Sequence, residues 1–395
     1  MPFGHSMLEW WTLDPSVTYL NHGTVGAVPR HVLAVQQAIR DEMERQPSKF
    51  LLRDLSGLVG QARHEPTRLR QAATAVAAFL GARGEDLVFV DNATTGVNAV
   101  LRSLALAPGD EILLTDHNYG GIARAAAFIA RERGAHVHTI CVPYPRFDRA
   151  RLLHEVAGAI GPRTRVAVLD HVTSESALIL PLVELAACCR DRGVAVLADG
   201  AHAPGMLPLD VPALGVDWYA GNLHKWAHAP RSSGVLWVHP SRQADLHPPV
   251  ISWGLDKGFL AEFDWVGTRD PSPWLAAPAG LAFLSQLGVE DVRRYNHDLA
   301  WRAASHLTDR WGTTFECDEA SVGSMVTLPL PDSLGATPED AARLRDALLN
   351  DDDIEIQVHA GHGRLWARVS AQVYNDWSDI EQVADAVAHR ASRSR

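Results

Sequence analysis

RVAVLDHVTSESALILPLVELAACCRDRGVAVLADGAH, residues 165–202, decides the fold. RVAVLDHV (165–172) and VAVLAD (194–199) are short runs of Val, Ala and Leu, each carrying an Asp at or near its end. LVELAACCRDRG between them has a helical alternation of apolar and polar residues and closes on Gly193. Strands covered on both faces are nearly continuous in apolar residues, and parallel neighbours need a crossover long enough for a helix. The stretch therefore predicts strand, helix and strand, with both strands buried in one parallel sheet.

The same texture extends outward. DLVFV (86–90), EILLTD (111–116) and HVHTICV (136–142) read as strands. TTGVNAVLRSLAL (94–106), GIARAAAFIARERG (121–134) and a segment near 148–160 read as the helices between them. VDWYAG (216–221) and GVLWV (234–238) close the series, which makes an α/β sheet covered on both faces. After about residue 275 the pattern changes. A helical stretch covers roughly 278–311, SMVTLPL (324–330) reads as a strand, and Thr337-Pro338-Glu339-Asp340 opens a helix with a cap and Pro at its first position. IEIQV (354–358) and LWARVSA (365–371) are strands, and a last helix starts near Asn375 or Ser378. The expected organisation is an N-terminal segment (1–30) contributing to the site and the small domain, a large domain (31–275) and a small C-terminal α+β domain (276–395).

The 395 residues, 47% hydrophobic, can bury a large core, and the net charge of -11 opposes a nucleic-acid partner. No apolar run is long enough for a membrane span, and the N-terminal MPFGHSMLEWWTLD has no export-signal pattern. The four cysteines (Cys141, Cys188, Cys189, Cys317) form no CxxC, so the simple expectation is a cytoplasmic protein. Only three of the 36 basic residues are lysines: Lys49, Lys225 and Lys257. Lys49 lies in a polar helix-like stretch and Lys257 in a Gly-flanked loop, whereas Lys225 follows an apolar strand between His224 and Trp226. A desolvated lysine has a lowered pKa and becomes a usable amine nucleophile.

Three further features accompany it. Asp91-Asn92-Ala93-Thr94-Thr95-Gly96 runs from a strand into a helix, whose terminal N–H groups and dipole suit a phosphate; an ordinary capped turn is the plain alternative. Asp199 ends a buried strand, where open α/β sheets place ligands; it either meets a cation such as a pyridinium N–H or caps the next helix. His202 follows three residues on, placed to meet a phenolic oxygen or a ring face. Arg364 and Arg368 share one alternation of a strand, and Arg368 has the apolar neighbours expected of a buried carboxylate-binding guanidinium.

The order NHG (21–23), NATTGVN (92–98), DHNY (116–119), HVTS (171–174), DGAH (199–202), LHKW (223–226), GT (267–268) and RVSAQVYN (368–375) resembles fold-type I pyridoxal 5′-phosphate (PLP) enzymes. Within them it is most similar to the class V aminotransferase group and its isopenicillin-N-epimerase-like branch. The resemblance implies a large domain with a mostly parallel seven-stranded sheet, a small C-terminal domain, PLP as cofactor and a homodimer with a shared site. It implies that Thr94, Thr95 and Asn222 bind phosphate, with Thr268 reaching the partner subunit's phosphate. It places Tyr119 against the ring, Asp199 on the pyridine nitrogen, His202 near the phenolate and Ser174 facing cofactor and substrate. Lys225 holds the cofactor as a Schiff base and then moves the α-proton, Arg368 takes the substrate carboxylate, and Asn21 and His22 lie at the mouth. Two departures stand out. HVTSES has Glu175 and Ser176 where the branch is expected to hold Pro and Thr, and HAGHGRLWAR (359–368) has no cysteine where cysteine desulfurases carry theirs.

The activity implied is that of a PLP-dependent lyase. The leading expectation is C–S β-elimination on an S-substituted cysteine conjugate in lincosamide-like natural-product biosynthesis. Decarboxylating oxidative deamination of such a conjugate to an aldehyde is the alternative, then epimerisation or transamination of an amino acid. Outside PLP chemistry, His136-x-His138, His224/His228 at helical spacing and His359/His362 could serve a metal hydrolase, but no HExxH or acidic cluster accompanies them, and no metal is expected. Trp253, Trp265 and Trp274 fall in predicted loops that could wall a substrate entrance, although plain packing explains any one of them.

Overall fold

A computed structural model describes residues 3–58 and 66–393. Twelve strands occur among them: β1 (Thr18–Tyr19), β2 (Leu87–Val90), β3 (Glu111–Thr115), β4 (His136–Ile140), β5 (Thr164–Asp170), β6 (Ala195–Gly200), β7 (Trp218–Asn222), β8 (Gly234–Val238), β9 (Met325–Pro329), β10 (Ile354–Glu355), β11 (Gln357–Gly361) and β12 (Arg364–Ser370). Seven form the large sheet in the order β2-β8-β7-β6-β5-β3-β4. All its pairings are parallel except those of β8, which runs antiparallel to both β2 and β7. Helices connect the parallel strands, whereas β7 reaches β8 through a short loop and must reverse.

Strand periodicity of two divides the sheet between two cores. Leu113, Ala167, Leu169, Val196, Ala198 and Tyr219 face one, and Ile112, Leu114, Val166, Val168, Leu197 and Ala220 the other. Both sets are buried, which is why these strands carry so little polar sequence. The helix Ala93–Ser103 approaches the sheet closely at Gly96, where an added Cβ would lie 3.1 Å from that of Ala220.

A third core gathers Leu299, Leu307, Val326, Leu328, Val369 and Val383 around the antiparallel order β11-β12-β9. The N-terminal segment joins it: β1 pairs with β10, Leu20 enters this core, and Asn21 bridges to Ser370. The stretch expected as one helix over 278–311 is two, Ser272–Leu287 and Val289–Trp311, broken at Gly288 with φ 85°. The first contributes Trp274, Ala277 and Leu281 to the large core, so the 275/276 position falls inside a helix and the passage between cores lies at Gly288. The predicted cap at Thr337 is a full capping box with Asp340. No helix among the described residues is long and apolar enough to cross a membrane.

Candidate active site

The carboxyl ends of β5, β6 and β7 open onto a cavity of about 350 Å³, the place where such sheets hold ligands. Thr94, Tyr119, Ser174, Asp199, His202, Asn222, Lys225 and Arg368 all line it, the last from the three-stranded sheet and the rest from around the seven-stranded one.

Lys225 follows β7 on a loop whose residues His228 and Ser232 have φ of 56° and 67°, a backbone that non-glycine residues rarely adopt. Its amine is buried and meets the His202 imidazole at 3.0 Å rather than a carboxylate. Burial, then the charge of Arg368, push its pKa down to about 7. His202 is itself held well below its usual range, first by burial, so it neighbours the lysine as a neutral ring. Behind the loop, His22 Nε2 meets the Lys225 carbonyl at 3.0 Å and Nδ1 meets the Tyr374 hydroxyl at 2.8 Å. His22 thus packs under the lysine, fully buried, instead of standing at the mouth.

Asp199 faces Asp170 in the β5–β6 register. One Asp199 oxygen accepts the Ala201 N–H at 2.9 Å. Burial raises both carboxyls, and the Asp199 charge raises Asp170 further. Asp170 accepts from Asn118, whose own carbonyl accepts the Thr115 N–H at 2.7 Å, and this braces the turn that presents Tyr119.

At the start of the Ala93–Ser103 helix, the Ala93 N–H goes to Asn222 Oδ1 and the Thr95 N–H to Asn92 Oδ1, at 2.8 and 2.9 Å. The Gly96 N–H bonds the Asn92 carbonyl, which leaves the Thr94 N–H and hydroxyl, with the Asn222 amide N–H₂, for a ligand. The Thr95 hydroxyl is 3.3 Å from Asn92 and does not line the cavity.

Arg368 lies on β12, the central strand of the small sheet, and is buried. It donates to the Ser174 carbonyl at 2.6 Å, Thr24 Oγ1 at 2.8 Å and Asn21 Oδ1 at 3.4 Å, while its Nε has no partner. Asn21 therefore reaches the site through Arg368. Arg364, at the strand's start, pairs with Asp332 instead. Thr268 is exposed and outside the lining. Trp265 and Trp274 are buried, Trp274 in a helix against Phe89, and Trp253 is 74% exposed, so none walls the cavity. His224 and His228 lie on the lysine loop rather than on a helix, and His136 and His138 are exposed. Asp170, Thr24, Glu175, His224 and Gln357 line the cavity without having been singled out for it.

These residues fit PLP on their own geometry. A helix terminus with unspent donors, a buried carboxylate at a strand end, an amine without an anionic partner and a guanidinium with an unpartnered Nε converge on one cavity. An arrangement of this kind can hold a phosphorylated aldehyde and an α-amino acid together.

The aminotransferase class-V family model matches residues 33–383. The chain is 35% identical to isopenicillin N epimerase of Streptomyces clavuligerus over 395 residues, covering 95% of each. It is 32% identical to a probable chloroplastic L-cysteine desulfhydrase of Arabidopsis thaliana over 402 residues, covering 95% of this chain and 83% of that one. A solved structure of a C-DES mutant with glycine covalently linked to the PLP cofactor superposes with a TM-score of 0.78 at 24% identity, covering 94% and 96% of the two chains.

Proposed function

The chain belongs to the class-V aminotransferase family of PLP-dependent enzymes, and from that premise we propose that it cleaves the C–S bond of an S-substituted cysteine. One water is consumed, and the products are a free thiol, pyruvate and ammonia. The observation that carries this reading is the buried amine of Lys225, near neutral pKa, in one cavity with Asp199 and Arg368. Bound there, PLP would condense with amino groups and accept electron density from the bonds at Cα.

Each residue would contribute one task. Lys225 would hold the aldehyde, then take the proton from Cα, for which an amine titrating near 7 is well matched to neutral conditions. Asp199 would keep a proton on the ring nitrogen. Thr94, the Ala93–Ser103 helix terminus and Asn222 would bind the phosphate, and Tyr119, His202 and Ser174 would border the ring. Arg368 would fix the substrate's α-carboxylate. C–S elimination asks for one base at Cα, and the desulfhydrase relative supports it. The substrate class, a thiol conjugate of natural-product biosynthesis, belongs to the same proposal. So does its decarboxylating variant, in which one O2 and one water are consumed and an aldehyde, carbon dioxide, ammonia and hydrogen peroxide would form.

The second reading, epimerisation, is supported by the epimerase relative. It needs a proton donor besides Lys225, and Tyr119 or a histidine of the cavity, His202 or His224, would serve. Incubating the holoenzyme with a panel of cysteine S-conjugates, with and without oxygen, separates these outcomes. Thiol with pyruvate supports elimination. Deuterium uptake at Cα with no bond cleaved would transfer the assignment to epimerisation.

Two expected results follow from the geometry. Protonated amines do not attack aldehydes, so PLP uptake by the apoprotein should speed up as pH rises through about 7. An ordinary lysine would delay that rise until well above pH ~9. Replacing Arg368 by Gln should weaken substrate binding by about 10- to 100-fold, the worth of charge-assisted hydrogen bonds, with a smaller effect on kcat. The KM and kcat of the variant measure both.

The exposed Val250, Ile251, Trp253 and Leu255 support a homodimer, in which Thr268 would approach the partner's phosphate site. All four cysteines are free, in keeping with a cytoplasmic location.

A further inference from the structure

The charged residues lining the cavity divide by depth. Asp170, Asp199, Lys225 and Arg368 are buried, and Glu175 is the exposed one, at the rim. Its backbone is held from several sides. The Glu175 carbonyl accepts from Thr327 Oγ1 at 2.6 Å, and the preceding carbonyl of Ser174 accepts from Arg368 at 2.6 Å. Thr173 Oγ1 meets Ser176 Oγ at 2.7 Å and accepts the Leu178 N–H at 2.8 Å, closing a tight turn around the segment. Ser176 Oγ in turn meets His117 Nδ1 at 2.6 Å. The backbone beneath the carboxylate is therefore fixed in place, and the exposed side chain swings from a constant anchor at the rim.

We propose that Glu175 selects the far end of the substrate by charge, so that the cavity takes amino acids whose side chain ends in a cation and disfavours those ending in a carboxylate. This selection rests on the proposed function at one point: Arg368 is occupied by the α-carboxylate. With Arg368 so engaged and the deeper groups committed to the cofactor, Glu175 is the exposed charge of the lining, facing whatever projects toward the opening. The Glu175 charge also reaches Arg368, which it helps to keep protonated against burial, so the two groups share one field. A second carboxylate on the substrate would meet Glu175 directly, whereas an ammonium would pair with it.

The test uses the holoenzyme and two conjugates of similar length, S-(2-aminoethyl)-L-cysteine and S-(carboxymethyl)-L-cysteine. Binding is read from the change in the cofactor's visible absorbance, and thiol release is followed separately. The wild type should bind the aminoethyl conjugate more tightly, on the order of tenfold, because attraction to one probe and repulsion of the other add. Glu175→Gln should bring the ratio close to one, and Glu175→Lys should invert it. Equal binding by the wild type, a ratio unchanged in both variants, or no binding of either probe would overturn the proposal. A ratio that holds while neither probe releases thiol upholds Glu175 and removes the elimination reading. Thiol release from both probes with equal affinities does the reverse.

Discussion

Replacing Lys225 by Ala is expected to lower turnover by about 1000-fold or more, the combined loss of an amine nucleophile and of a general base. The visible absorbance of the cofactor attached to the protein should disappear with it. The change itself is mild for the fold, since the side chain makes one hydrogen bond, to His202, and its backbone carbonyl stays on His22. Small added amines should restore part of the proton transfer in the variant. A purely structural role would not respond to them. Retention of turnover within about tenfold of wild type would remove Lys225 from the chemistry.

Asp199→Asn should be nearly as damaging. Its carboxylate is buried, and leaving a buried cation without its anion costs about 3–5 kcal/mol, equivalent to roughly 150- to 5000-fold in rate. The amide can still accept the Ala201 N–H, so the loss should appear in kcat rather than in folding. Asp199 also draws the Lys225 pKa upward, and in the variant the lysine should titrate lower than about 7. PLP uptake by the apoprotein of this variant should therefore begin at lower pH. Unchanged kcat would mean that the ring nitrogen needs no carboxylate here.

Much of the scaffold was legible because burial leaves a simple imprint. The strands around Asp170 and Asp199 had to be apolar on both faces, and their predicted limits differ from the observed ones by a residue or two. The antiparallel turn into β8 was not legible. Nothing in GVLWV distinguishes direction, and only the lack of a helix after β7 hinted at it. The break at Gly288 lies inside a continuous helical pattern whose two halves serve different cores.

Side-chain destinations were harder. His22 belongs to a short motif near the N-terminus, and its burial under Lys225 depends on Tyr374, 352 positions away. Thr95 offers its hydroxyl to Asn92, as a residue in the first turn readily does, whereas Thr94 beside it is left free. Asp170 shares with Asp199 the pattern of an acid at the end of a buried strand, and the two stand opposite each other in the sheet. Glu175 is visible in the sequence as a departure, but its place at the rim arises from contacts of its segment with Thr327 and Arg368 on the three-stranded sheet.

The central claim, that Lys225 is the amine carrying the cofactor, has a direct test. Borohydride reduction of the PLP-loaded protein, followed by digestion and mass spectrometry, should leave the reduced cofactor on the peptide containing Lys225. Recovery of that mass on Lys49 or Lys257, or on no peptide at all, would contradict the account.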